Sequence, residues 1–243
     1  MTTAFIFARG GSKRLPGKNL MPLAGRSLVS RAVQHGIDCP MIDRVIISTD
    51  SDALAAEALR TGADHAIARP AELASDRANE WMAWQHAVDW AQDRLGLGAD
   101  ECFVSLPPTA PLRTAGDIAN ALDLHASSGA DIVVTGSKAV RHPRFNLVRR
   151  NPQTGPFVTR YDDPGDGIAD PNGLPEAFDL TTVAYVTTFG FVLSAKGVFD
   201  GTVALCEVSR ESAIDIDTAL DFRLAEILIA ERETMTENEG NTA

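Results

Sequence analysis

The chain has 243 residues, 44% of them hydrophobic and 23% charged, with a formal charge of −11. At this length a chain hides roughly 70–75% of its unfolded surface, so one large α/β domain with an insertion needs no disulfide or metal staple. The composition excludes a disordered chain, a disulfide scaffold and a collagen-like rod, and the acidic balance argues against nucleic acid or a general membrane surface as partner.

In chain order, residues 3–8 (TAFIFA) read as a short buried strand followed by Gly10-Gly11. Residues 28–36 predict a short helix and 44–49 (RVIIST) a second strand, with residues 50–52 placed to cap an Ala-rich helix over 53–61. A third strand is expected over 63–68 and a long helix over 79–95, ending before Gly96. Residues 102–106 predict a strand stopped by Pro107-Pro108, then 114–127 a helix and 131–135 a strand. Strands separated by helices of about 10–15 residues indicate βαβ units, hence a doubly wound, mostly parallel, Rossmann-like α/β sheet.

The stretch 138–180 breaks this rhythm, being rich in Pro, Gly and Asp with only short strand-like pieces. It reads as an insertion in an α/β domain made of 1–137 and 181–233. Residues 182–186 and 190–193 are expected to return to the main sheet. Residues 212–217 lead into a last helix over about 219–232, where Thr218 and Asp221 fit an S/T-x-x-D cap. The polar residues 234–243 read as a flexible tail.

Cys39, Cys102 and Cys206 are odd in number and widely spaced, which suits a reducing compartment and excludes a cysteine zinc site. The five histidines never fall at metalloprotease spacing, and no G-x-S-x-G occurs. The opening MTTAFIF has no basic flank, and no apolar run approaches a membrane span of 18 or more residues. A cytoplasmic protein is the expectation.

Charge is unevenly distributed. Residues 1–37 hold Arg9, Lys13, Arg14, Lys18, Arg26 and Arg31 and no acid, a net +6, while the remainder is −17. Such a segment can hold an anion or form a solvated basic face. Spacing favours the anion. The loop 8–19 leaves the first strand, where open α/β sheets place ligands. Gly10 and Gly11 lack Cβ atoms that would keep backbone N–H groups from phosphate oxygens. Pro16-Gly17 turns the chain so that Lys18 can point back. The loop is neither a Walker loop, since Gly11 to Gly17 is one residue too long, nor G-x-G-x-x-G, so no nicotinamide cofactor is expected. At strand spacing, Asp215-Ile216-Asp217 sets two carboxylates on one face with Ile216 behind them. Such a pair suits magnesium, which keeps waters and bridges to substrate phosphates. The pair could instead serve as a helix cap and a solvated strand residue.

Residues 8–19 (ARGGSKRLPGKN) resemble the signature loop of the acylneuraminate (CMP-sialic acid synthetase-like) cytidylyltransferases. The resemblance continues in order through RVIISTD at 44–50, RPAELASDRA at 69–78, PPTAPLRTAGDI at 107–118 and IDIDTALDF at 214–222. It implies transfer of CMP from CTP to the anomeric hydroxyl of a nonulosonic 2-keto acid sugar (sialic, legionaminic or pseudaminic type), releasing pyrophosphate. It also implies Mg2+ at Asp215 and Asp217 and a homodimer formed through 138–180.

By this resemblance Arg9, Gly10, Gly11, Ser12, Lys13, Lys18 and Asn19 handle the triphosphate, with Lys18 and Asn19 near the attacked phosphate. Arg69, Ala78 and Glu80 fall around the cytosine and ribose. Arg9, Lys18, Asp215 and Asp217 carry the catalysis, and Arg113, Arg144, Thr182 and Tyr185 face the sugar. RLPGK also resembles the Kdo-type cytidylyltransferases, and a nucleotide-binding member that has lost sugar activation is a third reading. The departures lie on the sugar side: Pro107 stands where a Gln is common, Thr181-Thr182 where an Asn-Gly pair is common, and Asp170-Pro171-Asn172 where arginines are common. Arg141, Arg144, Arg149 and Arg150 could compensate or form an exposed basic face.

Overall fold

A computed structural model describes residues 1–12, 14–75, 78–150, 153, 156–163, 165 and 173–240. The first strand, β1 (Thr2–Phe7), leads through the short pair β2 (Pro22–Leu23) and β3 (Arg26–Ser27) into α1 (Leu28–Ile37). Then come β4 (Arg44–Thr49), α2 (Asp52–Thr61), β5 (His65–Ala68), α3 (Glu80–Leu95), β6 (Cys102–Ser105), α4 (Ala115–Ser128) and β7 (Ile132–Lys138). A small hairpin, β8 (Val148–Arg150) and β9 (Val158–Arg160), precedes β10 (Phe178–Thr188), α5 (Phe189–Ser194), β11 (Val203–Glu207) and α6 (Ala219–Gly240).

Seven strands form one sheet in the order β11-β7-β10-β6-β1-β4-β5. All neighbours are parallel except β10, which runs antiparallel to both β6 and β7. The expected mostly parallel sheet is therefore present. Its two faces follow from period two in the strands. Ala4, Ile6, Val45, Ile47 and Val104 face one core with α1, α2 and α4, while Phe5, Ile46 and Phe103 face a second core with α3 and α5. That second core is an aromatic slab: the Phe5–Phe103, Trp84–Phe103 and Trp81–Trp84 ring centroids are each 5.0 Å apart.

Helix boundaries follow local chemistry. Asn79 caps α3, its Oδ1 accepting from Trp81 N–H at 3.0 Å, and Gly96 ends it in the left-handed region. Thr114 and Asp117 form a reciprocal capping box on α4, and Thr218 and Asp221 pair in the same way at the start of α6.

Three expectations are corrected, and one strand goes unread. Residues 190–193 lie in α5, not in a strand; an apolar run this short has no period to separate the two, and the Thr188 hydroxyl starts a helix by accepting from Phe191 N–H at 3.2 Å. The strand that joins β7 is β11, which sequence reasoning passes over. Asp50 does not cap α2: Ser51 is the N-cap and makes no side-chain capping bond. Helix α6 runs to Gly240 rather than stopping near 232.

Candidate active site

Strands β4 and β5 extend the sheet to one side of β1, and β6 lies on the other, so the order switches direction between β1 and β6. Open α/β sheets bind ligands at such a point, beyond the carboxyl ends of the strands. Here a cleft of about 650 Å³ opens there, within the range of small-molecule sites. The loop after β1 lines it with Arg9, Ser12, Arg14, Leu15, Lys18 and Asn19. Arg69 enters after β5, Ala78 and Glu80 from the start of α3, and Pro107, Pro108 and Thr109 from the end of β6. Thr182 and Tyr185 of β10 and Asp217 before α6 complete the lining.

The loop after β1 is held by contacts far away in sequence. Gly17 sits at φ +69°, and Lys18 N–H bonds Leu15 O at 3.1 Å, so Pro16-Gly17 fill the central positions of a tight turn that only Gly enters without strain. Leu15 packs on a hydrophobic cluster with Leu23, Leu28, Ile216 and Phe222, which brings the loop and the carboxylate segment together. Lys18 Nζ then donates to Ile216 O at 2.5 Å and to Asp217 Oδ1 at 3.1 Å. Arg14 Nη1 meets the other oxygen, Asp217 Oδ2, at 2.5 Å. Asn19, buried, donates from Nδ2 to Arg9 O at 3.1 Å.

Gly10 matters for a reason other than the expected one. Its N–H donates to Asp50 Oδ1 at 2.8 Å, and a Cβ on it would lie 3.2 Å from Ser51 Cβ. The glycine lets the loop pack on the turn after β4; its amide is already engaged. Gly11 is open: a Cβ added there would meet nothing within 4 Å.

After β5, Arg69 Nη2 donates to Ser48 O and Nε to Ser48 Oγ at 3.2 Å, while its guanidinium lies 5.5 Å from the Phe7 ring centroid. Burial lowers the Arg69 pKa, opposed by Asp50 and Glu80. Enclosure by protein raises the Glu80 carboxyl, although the side chain stays open to the cleft. Tyr185 is pushed up to about 12, first by burial and then by Glu80 and Asp215.

Residues 214–217 are not the strand their spacing suggests; they run as irregular chain, tied by Ile214 N–H to Glu211 O at 3.2 Å and Ile216 N–H to Thr109 O at 2.8 Å. Ile216 is fully buried between the two carboxylates, as the spacing predicts. Asp217 lines the cleft, whereas Asp215 Oδ1 accepts from the Thr182 hydroxyl at 2.8 Å.

Two of the sugar-side residues lie elsewhere. Arg113 is buried under the loop after β6, donating to Pro107 O and to Ala110 O at 3.2 Å; it shapes that loop and does not reach the cleft. Its guanidinium is held down to about 9 by burial. Arg144 lies in the insertion, 3.5 Å from Asp162 Oδ2, and does not line the cleft either. Lys13, Asp76-Arg77 and Asp170-Pro171-Asn172 lie outside the described residues. Sequence reasoning misses Arg14, Phe7 and Thr109 as site residues; the acid-free charge run already contains Arg14, while Phe7 ends β1 and Thr109 sits in the loop after β6, neither with a chemical signature.

Residues 3–164 match the family model described as Cytidylyltransferase. The chain is 28% identical over 233 residues to the Post-translational flagellin modification protein B of Campylobacter coli, covering 93% of this chain and 94% of that protein. It is 28% identical over 231 residues to the CMP-N,N'-diacetyllegionaminic acid synthase of Campylobacter jejuni, covering 93% of each. A solved structure of CMP:2-keto-3-deoxy-manno-octonic acid synthetase complexed with CTP shares the fold at a TM-score of 0.68 and 14% identity, over 95% of this chain and 99% of that one.

Proposed function

The chain belongs to the cytidylyltransferase family, and on that premise we propose that it transfers CMP from CTP to the anomeric hydroxyl of a nonulosonic acid of the sialic, legionaminic or pseudaminic type. The anomeric hydroxyl gives up its proton to solvent, its oxygen forms a bond to the α-phosphorus, the α–β phosphoanhydride bond breaks, and pyrophosphate leaves. The observation that carries this reading is the gathering of Arg9, Arg14, Lys18 and Asn19 in one cleft with Arg69 and Glu80. The nonulosonic acid follows from full-length similarity to a synthase of that product class.

In phosphoryl transfer the protein mainly positions groups and offsets charge. Lys18 is suited to this. Its side chain is only 12% exposed and is tied to Ile216 O, so its ammonium is held in place before substrate arrives. Arg14 is held less closely, being exposed and bound to Asp217. Arg69 and Glu80 offer a donor and an acceptor, the pairing that the O2 and N4 edge of cytosine requires.

Asp215 and Asp217 would hold Mg2+, and the fit rests on their chemistry. Both are hard oxygen donors, separated by one residue, and Asp217 opens on the cleft that would take the triphosphate. Such an ion would be completed by waters and substrate phosphates. When bound, the ion would neutralise charge on the phosphate oxygens.

We also place a homodimer contact on 138–180, where Phe157, Val158 and Tyr161 are exposed, and the site of action in the cytoplasm, the reducing compartment that three unpaired cysteines suit. No helix among the described residues is long and apolar enough to cross a membrane. The test is pyrophosphate release from CTP with a panel of 2-keto acid sugars. Release that depends on a nine-carbon acid supports the proposal. Release only with the eight-carbon Kdo, or with none of the sugars, overturns it.

A further inference from the structure

Strand β10 is irregular where it passes the cleft. Against β7 it pairs Leu180 with Gly136 and next Tyr185 with Val134, so five steps along one strand answer two along the other. The slip is pinned from the β7 side by Thr135, which is fully buried. Its hydroxyl donates to Ala184 O at 3.0 Å and accepts from Ala184 N–H at 3.1 Å and from the Thr181 hydroxyl at 2.8 Å. Buried polar groups at the irregularity are thus paired, and the slip is a fixed feature. Bulges of this kind re-aim side chains beside active sites.

The side chain re-aimed here is Thr182. Its Oγ1 lies 2.8 Å from Asp215 Oδ1 and 3.3 Å from Thr109 Oγ1. A carboxylate can only accept, so Thr182 gives its single hydrogen to Asp215 and takes that of Thr109. The two neighbouring carboxylates are therefore held by different chemistry. Asp217 has its charge shared between Arg14 and Lys18. Asp215 is held through Oδ1 by a neutral hydroxyl, which orients it without offsetting its charge.

We propose that Thr182 is a positioning residue for Asp215: the slipped segment of β10 and the Thr109–Thr182–Asp215 hydroxyl chain hold one carboxylate oxygen so that the other is presented to a divalent cation. This rests on the metal reading of the Asp215–Asp217 pair. Partners that orient a ligand carboxylate typically govern 10–100-fold in metal affinity.

The test is Mn2+ binding to the full chain, followed by electron paramagnetic resonance with and without CTP. Thr182→Val keeps the shape and removes the hydroxyl, and should weaken Mn2+ binding at least about tenfold. Thr182→Ser keeps the hydroxyl and should retain affinity to within about twofold. On an Asp215→Asn background, Thr182→Val should add nothing, because the two act through one group. Thr182→Ala takes the place of the valine variant should that one fail to fold. Wild-type affinity in the hydroxyl-free variant, equal loss in the serine variant, or an additive effect with Asp215→Asn would each overturn the positioning role alone. A wild-type chain that binds no Mn2+, with CTP or without, overturns the metal reading and the positioning role with it.

Discussion

Two arginine-rich regions of this molecule are built in opposite ways. The loop after β1 is fastened to distant segments: Gly10 to Asp50, Leu15 to the cluster around Ile216, Lys18 and Arg14 to Asp217. The hairpin β8–β9 is fastened largely to its own insertion, through Arg160 to Arg144 O and Asp163, Arg144 to Asp162, and His142 to Pro175 O. Arg149 and Arg150 lie exposed on it, beside Val148 at 53% and Phe157 at 74% exposure. The first region is completed within one chain and presents its cations inward to a cleft. The second leaves apolar side chains in solvent, the kind of surface on which the proposed contact between chains would form.

The largest effect should come from the fastened loop. Asp217→Asn and Lys18→Ala should each cut pyrophosphate release by roughly two to three orders of magnitude, about 3–4 kcal/mol of transition-state stabilisation, with little change in melting temperature. Rates close to wild type would make the Lys18–Asp217 contact a structural brace only. Next in size, CTP at about 100 times its Kd should raise unfolding free energy by roughly 2.7 kcal/mol, because it binds only the folded cleft. Thermal shifts of equal size with UTP would deny Arg69 and Glu80 their reading of the base.

His35 probes how tightly the helix behind the loop is closed. Burial first, then Arg113 and Arg31, lowers its pKa from 6.5 to about 3. The unfolded chain therefore binds the proton before the folded one does, and stability falls as pH drops from 6.5 towards 3. Between about pH 6 and pH 4 the wild type should lose up to about 1.4 kcal/mol per pH unit more than His35→Gln in urea unfolding. Parallel pH curves for the two proteins would show that water reaches this ring in the folded state. The smallest effect belongs to the hairpin: Phe157→Ser should leave monomer stability within about 0.5 kcal/mol, as for an exposed site. The same change should shift sedimentation from dimer to monomer, and an unaltered dimer would move the contact away from the hairpin.

The contrast between the regions also marks how far the chain can be read. Runs such as RVIIST and TAFIFA announce strands because β-branched and apolar residues fit a sheet buried on both faces, and β4 begins and ends where its run does. Asn79, Thr114 and Thr218 announce helix starts because capping is a local bond. Residues 189–194 and 203–207 are not separable, since both are short apolar runs and only packing chooses between helix and strand. Asp50 resembles a cap and instead holds Gly10, and Arg113 resembles a sugar ligand and instead braces a loop.

What the sequence by itself determined is the alternation of strand and helix and the set of groups available to the cleft: a cation-rich, acid-free loop and a carboxylate pair with a buried residue between them. These depend on period, propensity and spacing, which are properties of neighbouring residues. Only the tertiary structure decided which of those groups meet. Lys18 and Asp217 are 199 positions apart, and Thr182 and Asp215 are 33 apart. Their meeting depends on the packing of Leu15 against Ile216 and on the slip in β10, and the burial that holds each in place is set by the whole sheet rather than by any segment of it.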